Sequence, residues 1–186
     1  MNMGKRFLIT LLSLFLFAGS AFAYGNPRWF NMPVSVYIQK SNNTASVTNA
    51  FKAWQGASGG TLRFIYRNSK NLESLSNITV SFVDLLPNED LYKVTPEYST
   101  FGKAHYSTEN GFYYKNHIVI ARRSSNGKLL SSSQIYALAL RAVGEAVGIK
   151  PIDTNTSSVM SKTTNILNNR TITKSDINAL YGIYKK

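Results

Sequence analysis

The chain has no cysteine and only two histidines among its 186 residues. Without cysteine there are no disulfides, no lipidated cysteine and no thiol nucleophile. An exported domain of this composition is typical of a bacterial periplasmic or secreted protein, rather than of a disulfide-stapled animal one. The two histidines, His105 and His117, are too few for a site that needs three imidazole ligands.

Acidic residues are also scarce, because nine Asp and Glu stand against 21 Lys and Arg. If Lys5 and Arg6 are removed with a signal peptide, 19 basic residues and a net charge of +10 remain. This bias favours association with anionic surfaces such as cell-wall polymers, lipopolysaccharide, nucleic acid or acidic proteins. The basic residues are dispersed, so a basic surface without a special partner is the alternative interpretation.

Long hydrophobic runs are missing everywhere except at the N-terminus. Lys5 and Arg6 precede an apolar run at residues 7–18, and Ala21-Phe22-Ala23 fits the small-x-small cleavage rule. We therefore predict a signal peptide over residues 1–23 and a single mature domain over residues 24–186, secreted or periplasmic. No membrane span is expected after cleavage, and an uncleaved N-terminal anchor is the alternative.

The rest of the chain alternates between strand and helix patterns. Apolar alternation predicts strands at residues 34–38, 62–67, 78–82, 103–106 and 117–121. Helical spacing predicts three helices: one to Trp54 after a Thr44 or Ser46 cap, one at residues 131–147, and one opened by a capping box of Thr173 and Asp176. Residues 85–100 carry two prolines and several acids, and predict a loop. The predicted class is α+β.

Ten local motifs in this order resemble the matrixin catalytic domain, a metzincin-clan zinc metalloprotease fold, in a degenerate bacterial-type form. They are Pro27-Arg-Trp29, Val34-Ser-Val-Tyr-Ile38, Val47-Thr-Asn-Ala-Phe-Lys-Ala-Trp54, Thr61-Leu-Arg-Phe64, Asn77-Ile-Thr-Val-Ser-Phe82, Gly102-Lys-Ala104, His117-Ile-Val-Ile120, Ala137-Leu-Ala-Leu140, Ser158-Val-Met160 and Ile172-Thr-x-x-Asp176-Ile-x-x-Leu180-Tyr-Gly182. The resemblance implies a zincin-like fold: three helices and a twisted five-stranded mixed sheet, with one antiparallel edge strand bordering a peptide cleft.

The same resemblance locates a protease site whose chemistry has been replaced. The metzincin pattern is H-E-x-x-H-x-x-G-x-x-H, followed by a turn that carries Met. Laid on this chain, its positions fall in order on Arg141, Ala142, Glu145, Gly148 and Pro151, with Met160 in the turn. Arginine stays protonated and has no lone pair for a metal, alanine cannot act as a base, and proline cannot bind zinc. We predict no catalysis, no zinc and no other cofactor.

The two replacement residues form a candidate pair. Arg141 and Glu145 are one helical turn apart, so we predict an ion pair within about 4 Å. The guanidinium would then lie near the metal position that the resemblance implies. Either the pair is a structural substitute for zinc, or the site drifted to polar residues. Gly148 is predicted to end the helix as a left-handed cap, and Met160 to belong to the core.

The favoured function is a pseudo-protease: a scaffold that binds an extended peptide or protein without cutting it. The resemblance places its binding edge at Lys103, Ala104, His105 and Tyr106, where backbone groups can pair with an added strand. Two alternatives stay open. One is an active zinc metalloendopeptidase with an atypical site. The other is a basic domain that binds anionic surfaces such as a cell-surface polymer.

Overall fold

The computed structural model describes residues 27–100, 103–105, 112–152, 157–162 and 165–185. For residues 98–100 and 103–105 it describes the backbone only. The predicted signal peptide at residues 1–23 lies outside the described residues.

The described residues include three α-helices, which lie where helical spacing predicted them: α1 at Thr44–Ala57, α2 at Ser132–Ala146 and α3 at Lys174–Tyr184. α2 begins with a capping box, in which Ser131 and Gln134 exchange bonds between side chain and backbone. α3 begins with the capping box predicted for Thr173 and Asp176.

The cap predicted for α1 is wrong. Asn43, not Thr44 or Ser46, occupies the N-cap position, and it makes no side-chain cap bond. Thr44 already belongs to the helix, and its hydroxyl accepts a bond from the Ser41 N–H at 2.9 Å. A hydroxyl near a helix start can satisfy the preceding turn instead of the helix, so composition alone did not identify the cap.

Seven strands in the described part of the chain form one mixed sheet. In chain order they are β1 Arg28–Trp29, β2 Val34–Ile38, β3 Phe64–Arg67, β4 Ile78–Val83, β5 Tyr92–Thr100, β6 Lys103–His105 and β7 Phe112–Ala121. Their order across the sheet is β3-β2-β4-β7-β5-β6, and the short β1 pairs with the start of β7. β1 to β4 all take part in parallel pairs, whereas β5 is antiparallel to β7 and β6 is antiparallel to β5.

The α+β class, the three helices and the mixed sheet are therefore as predicted, but the strand count is not. Among the residues described, the sheet has seven strands instead of five, and two antiparallel pairings instead of one antiparallel edge strand. The largest difference is β5, which occupies residues predicted to be a loop.

Pro96 explains why β5 was missed. The Ala121 N–H bonds the Leu91 carbonyl, so every second residue from Leu91 directs its backbone groups toward β7. The backbone groups of Tyr92, Val94 and Pro96 consequently point away from β7. A proline at such an outward position removes no hydrogen bond from the β5–β7 ladder, because its missing N–H would point away from β7. The proline thus marks a side of β5 that has no strand partner among the described residues.

The core lies where α1 and α2 pack together against the sheet. α1 contributes its buried side chains Val47, Ala50, Phe51 and Trp54. α2 is buried on nearly every side, because ten of its fifteen residues are buried. A helix of this kind runs through the interior of a domain. A polar residue in the buried part of α2, such as Arg141, must therefore find its partners inside the protein.

Candidate functional site

Two tryptophans and an asparagine hold the buried helix α2 in position. Trp54 on α1 donates from Nε1 to the Leu140 carbonyl at 2.8 Å. Trp29 on β1 and Asn116 on β7 both donate to the Ala146 carbonyl, at 3.0 and 2.7 Å. These bonds join α2 to α1 and to two strands of the sheet, so the position of its side chains is well determined.

The C-terminal end of α2 confirms the role predicted for Gly148. The Gly148 N–H bonds the Glu145 carbonyl at 2.9 Å, and the Ile149 N–H bonds the Gly144 carbonyl at 3.0 Å, as in a Schellman motif. Gly148 has a φ of +98°, and a Cβ atom there would lie 2.3 Å from the Pro27 carbonyl oxygen. Both the backbone angle and the close approach require glycine.

Arg141 and Glu145 form the predicted ion pair. Nε of Arg141 lies 3.1 Å from Oε1 of Glu145, and the two side chains are 8% and 25% exposed. The Tyr92 hydroxyl donates to the same carboxylate oxygen at 2.5 Å. Burial raises the pKa of the Tyr92 hydroxyl, the Glu145 charge raises it further, and the Arg141 charge opposes the shift. We call these three residues the Arg141 cluster.

The guanidinium also binds the segment that follows the helix. Nη1 of Arg141 donates to the Val159 carbonyl at 3.1 Å and to the Ser161 carbonyl at 2.6 Å. A buried guanidinium needs several acceptors to offset its lost hydration, and here it has a carboxylate and two carbonyls. Arg141 therefore ties helix α2 to residues 158–161, a segment that we call the Met160 turn.

Met160 packs directly against helix α2, which carries Arg141 and Glu145. It is fully buried, as predicted for a core residue. A Cβ atom built on Gly144 would lie 2.4 Å from the Met160 sulfur and 2.9 Å from Cζ2 of Trp54. Gly144 is thus the residue that lets α2, α1 and the Met160 turn approach one another closely.

The Met160 turn is also anchored to α3. The Ser158 hydroxyl donates to Oδ1 of Asp176 and accepts a bond from the Met160 N–H at 2.9 Å. Oδ2 of Asp176 accepts from the Thr173 N–H at 2.7 Å and from its hydroxyl at 2.8 Å. One fully buried carboxylate thus caps α3 and holds the turn.

The residues at the family positions do not fit a zinc ion. Ala142 is fully buried against the core, and Arg141 is a cation whose Nε and Nη1 groups already donate to Glu145 and to two carbonyls. Pro151 stands just before Ile152, which bridges to Ser161 of the Met160 turn. Within the described ranges, no three side chains of His, Cys, Asp or Glu come together as metal ligands. Among these positions only Glu145 could contribute a metal ligand, and a single carboxylate does not make a zinc site.

The predicted binding edge falls partly on described backbone. Lys103, Ala104 and His105 form β6, which in the described part of the chain pairs with β5 alone. Tyr106 lies outside the described residues. β6 meets β5 only at residues 98–100, so the outward side of β5 from Tyr92 to Glu97 has no strand partner among the described residues. This stretch of β5 begins at Tyr92 and thus adjoins the Arg141 cluster.

His117 lies on β7, as the resemblance implied, and its ring joins three strands. Nδ1 is 2.7 Å from the Thr79 hydroxyl on β4, and Nε2 is 3.0 Å from Oε1 of Glu97 on β5. This group fixes the register of the strands. The hydroxyl belongs to a residue that is only 6% exposed, so it is not placed as an accessible nucleophile.

Sequence reasoning missed three contributors to this region: Tyr92, Gly144 and the Ser158–Asp176 contact. Tyr92 was hidden in a segment predicted to be a loop. Gly144 did carry a signal, since a glycine inside a helix costs about 1 kcal/mol relative to alanine and often has a packing reason. The Ser158–Asp176 contact joins residues distant in the chain, and no local pattern predicts it.

A scan of protein-family models and a search of curated proteins found no match to this chain. The resemblance to matrixins therefore remains a prediction from the residues. Within the part of the chain that the structure describes, no helix is long and apolar enough to cross a membrane.

Proposed function

We propose that the protein is a secreted, non-catalytic relative of the matrixin metalloproteases, which binds an extended peptide or protein segment without cutting it. The observation that carries the proposal is the Arg141 cluster. At the two helix positions where the resemblance expects zinc ligands, the chain has a buried arginine and its paired carboxylate.

The contacts of Arg141 favour a structural substitute for zinc over drift. A metal in such a fold holds the helix and the following chain around one positive charge. Here a guanidinium supplies the positive charge, and it binds Glu145 on the helix and two carbonyls of the Met160 turn. Residues that drift without constraint in an open cleft would be exposed, whereas Arg141 is 8% exposed at its side chain.

The sheet gives a second, coarser support. Five neighbouring strands, β3-β2-β4-β7-β5, comprise four that pair in parallel and one, β5, that runs antiparallel. The mixed sheet supports the proposal only at this coarse level, because β6 and β1 do not belong to the five-stranded sheet that the resemblance implies.

Peptide binding would use the outward side of β5, which has no strand partner within the described ranges. Tyr92 and Val94 present an N–H and a carbonyl outward, and Pro96 presents a carbonyl. An extended peptide added there would form a further strand through its main chain, without any catalytic residue. The edge predicted from the sequence, β6, offers the same kind of pairing a few residues further along the chain.

Catalysis is tested first, by elemental analysis of purified residues 24–186 together with cleavage assays on casein and quenched peptides. We expect no stoichiometric zinc and no cleavage. Near one zinc per chain, removed by a chelator together with a peptidase activity, would refute the proposal in favour of an atypical active site.

Binding is tested by selecting a phage-displayed random heptapeptide library on the immobilised protein and measuring the selected peptides by calorimetry. Val94→Pro removes one outward N–H and should weaken binding at β5, as Ala104→Pro should at β6. Native Pro96 occupies the equivalent outward position, so the strand can accommodate the first change. Reversing Arg122 and Arg123 to Glu is the charge control.

The alternative of a basic surface binder makes the opposite prediction. Binding would then be lost in the Arg122→Glu, Arg123→Glu variant and would weaken steeply with salt. Both proline variants would bind as the parent does. That outcome would refute peptide binding at the edge of the sheet, and the protein would instead be a basic domain that binds anionic surfaces.

A further inference from the structure

A second concave site lies away from the Arg141 cluster. A pocket of about 510 Å³ is bounded by β1 and the chain after it, by the start of β7 and by the end of α3. Its walls include Arg28, Phe30, Met32, Thr61, Phe112 and Lys185. Phe112 opens β7, whereas Tyr92 pairs with Ile120 about 27 Å further along that strand. The pocket and the cluster share no residue.

The floor of the pocket is rigid. The Trp29 N–H donates to the Tyr184 hydroxyl at 3.2 Å, and that hydroxyl donates to the Val147 carbonyl at 3.0 Å. Trp29 is also fixed through its indole to the Ala146 carbonyl. A ligand that entered would therefore meet a surface that is already formed, which lowers the ordering cost of binding.

The apolar wall is unusually exposed. Phe30 is 71% exposed and packs edge to face on Phe112, with ring centroids 4.8 Å apart. Met32 continues this wall. An isolated exposed phenylalanine needs no explanation. The pocket volume of about 510 Å³ lies within the usual range for ligand pockets, roughly 300–1,000 Å³. Inside it, the two neighbouring rings and the methionine form a platform for another planar apolar group.

The polar wall is positively charged and already oriented. The Arg28 guanidinium lies over the Phe112 ring at 5.7 Å, and its Nη1 donates to the Ile183 carbonyl at 3.0 Å. Lys185 holds its ammonium 3.6 Å from the centroid of the Tyr181 ring. No Asp or Glu is among the described residues that line the pocket. A guanidinium fixed on one side presents its other N–H groups for a bidentate contact with a carboxylate.

We propose that this pocket binds an aromatic carboxylate. The ring would lie on Phe30 and Met32, and the carboxylate would bind Arg28 with support from Lys185. The same chemistry is found in a small aromatic acid and in the C-terminal aromatic residue of a peptide.

The probes are N-acetyl-phenylalanine, its uncharged amide, and N-acetyl-alanine, measured by NMR with the Trp29 indole N–H as the local reporter. The tripeptide Gly-Gly-Phe distinguishes a peptide terminus from a small acid. We expect a Kd on the order of 1 mM for N-acetyl-phenylalanine, as is usual for a ligand of this size. The amide and the alanine compound should each bind about tenfold more weakly, since each loses one of the two contacts.

Matched variants locate the site. Phe30→Ala and Lys185→Gln should each weaken binding, the former by about tenfold. Leu75→Ala, at a residue 72% exposed elsewhere, and Lys128→Gln, at another exposed lysine, are controls that should bind as the parent does. The proposal is overturned if the parent binds none of the acids, if the amide binds as tightly as the acid, or if the controls weaken binding equally. Equal competition by inorganic phosphate alone would also overturn it, because the ring would then contribute nothing.

Discussion

Replacing Arg141 by methionine should destabilise the protein far more than removing a surface ion pair of similar length. Arg141 contacts Glu145 at 3.1 Å and two carbonyls of the Met160 turn, all around a side chain that is 8% exposed. Removing one partner of a buried pair costs about 3–5 kcal/mol, because the other charge loses its partner. Glu145 is 25% exposed and keeps its Tyr92 bond, so we expect a loss near the lower limit, about 3 kcal/mol.

The matched control is the pair of Arg122 and Asp84. Its atoms are closer, at 2.9 Å, but the side chains are 43% and 62% exposed. Solvent screening and side-chain entropy reduce such a pair to about 0–1 kcal/mol. Arg122→Met should therefore cost less than 1 kcal/mol, a clear contrast with Arg141→Met.

The assay is urea unfolding at pH 7, with thermal unfolding beside it. A loss of about 3 kcal/mol corresponds to a Tm about 6–12 °C lower for a domain of this size. A double-mutant cycle with Glu145→Gln should give a coupling of about 1–3 kcal/mol. Equal, small losses for Arg141→Met and Arg122→Met, or a coupling near zero, would refute the idea that Arg141 joins the helix to the Met160 turn.

Two further predictions concern packing and pH. Gly144→Ala should cost about 1–3 kcal/mol in urea unfolding despite better helix propensity, because its Cβ atom would lie 2.4 Å from the Met160 sulfur. Gly56→Ala, in α1 with nothing within 4 Å, should instead be neutral or stabilising by up to about 1 kcal/mol. The raised pKa of Tyr92 means that the folded chain keeps this hydroxyl neutral where the unfolded chain ionises it. The stabilising contribution of Tyr92 is therefore complete below about pH 10, and above that pH it falls by up to about 1.4 kcal/mol per pH unit. The measurement is the free energy of unfolding between about pH 8 and 11. Tyr92→Phe should reduce the loss of stability above about pH 10. An unchanged alkaline slope in Tyr92→Phe would contradict the assigned environment.

Local patterns predicted most of the fold. The helical spacing of residues 131–147 located α2 to within one residue at each end, since its stripe of small and branched apolar residues must be buried. The capping box of Thr173 and Asp176 located the start of α3. Strand alternation found β2 and β4 for the same reason, because a sheet face that packs on helices needs regular apolar positions.

β5 shows where local patterns fail. A proline argues against a central strand, because it lacks an N–H group for one of the neighbouring strands. β5 is nevertheless flanked by β7 and β6. Its proline is tolerated because β6 covers only residues 98–100 and leaves the outward side beside Pro96 without a strand partner among the described residues. That arrangement depends on the length of the hairpin, a tertiary property that a window of sequence does not contain.

The candidate site divides in the same way. An i, i+4 spacing was enough to predict the contact of Arg141 with Glu145, because the helix alone brings those side chains together. It was not enough to predict the Val159 and Ser161 carbonyls, which reach Arg141 only through the fold. Yet these carbonyls are the observation that favours the proposed zinc substitute over drift. An i, i+4 pair on a solvated surface contributes about 0.3–0.5 kcal/mol and would be easily lost by drift. A guanidinium with acceptors on both the helix and the turn is different, since its removal leaves buried carbonyls and a carboxylate without their donor. Selection for folding alone would retain such an arginine. The proposed loss of zinc and the retention of the surrounding fold are therefore compatible, because one buried cation can connect segments that a metal would otherwise hold.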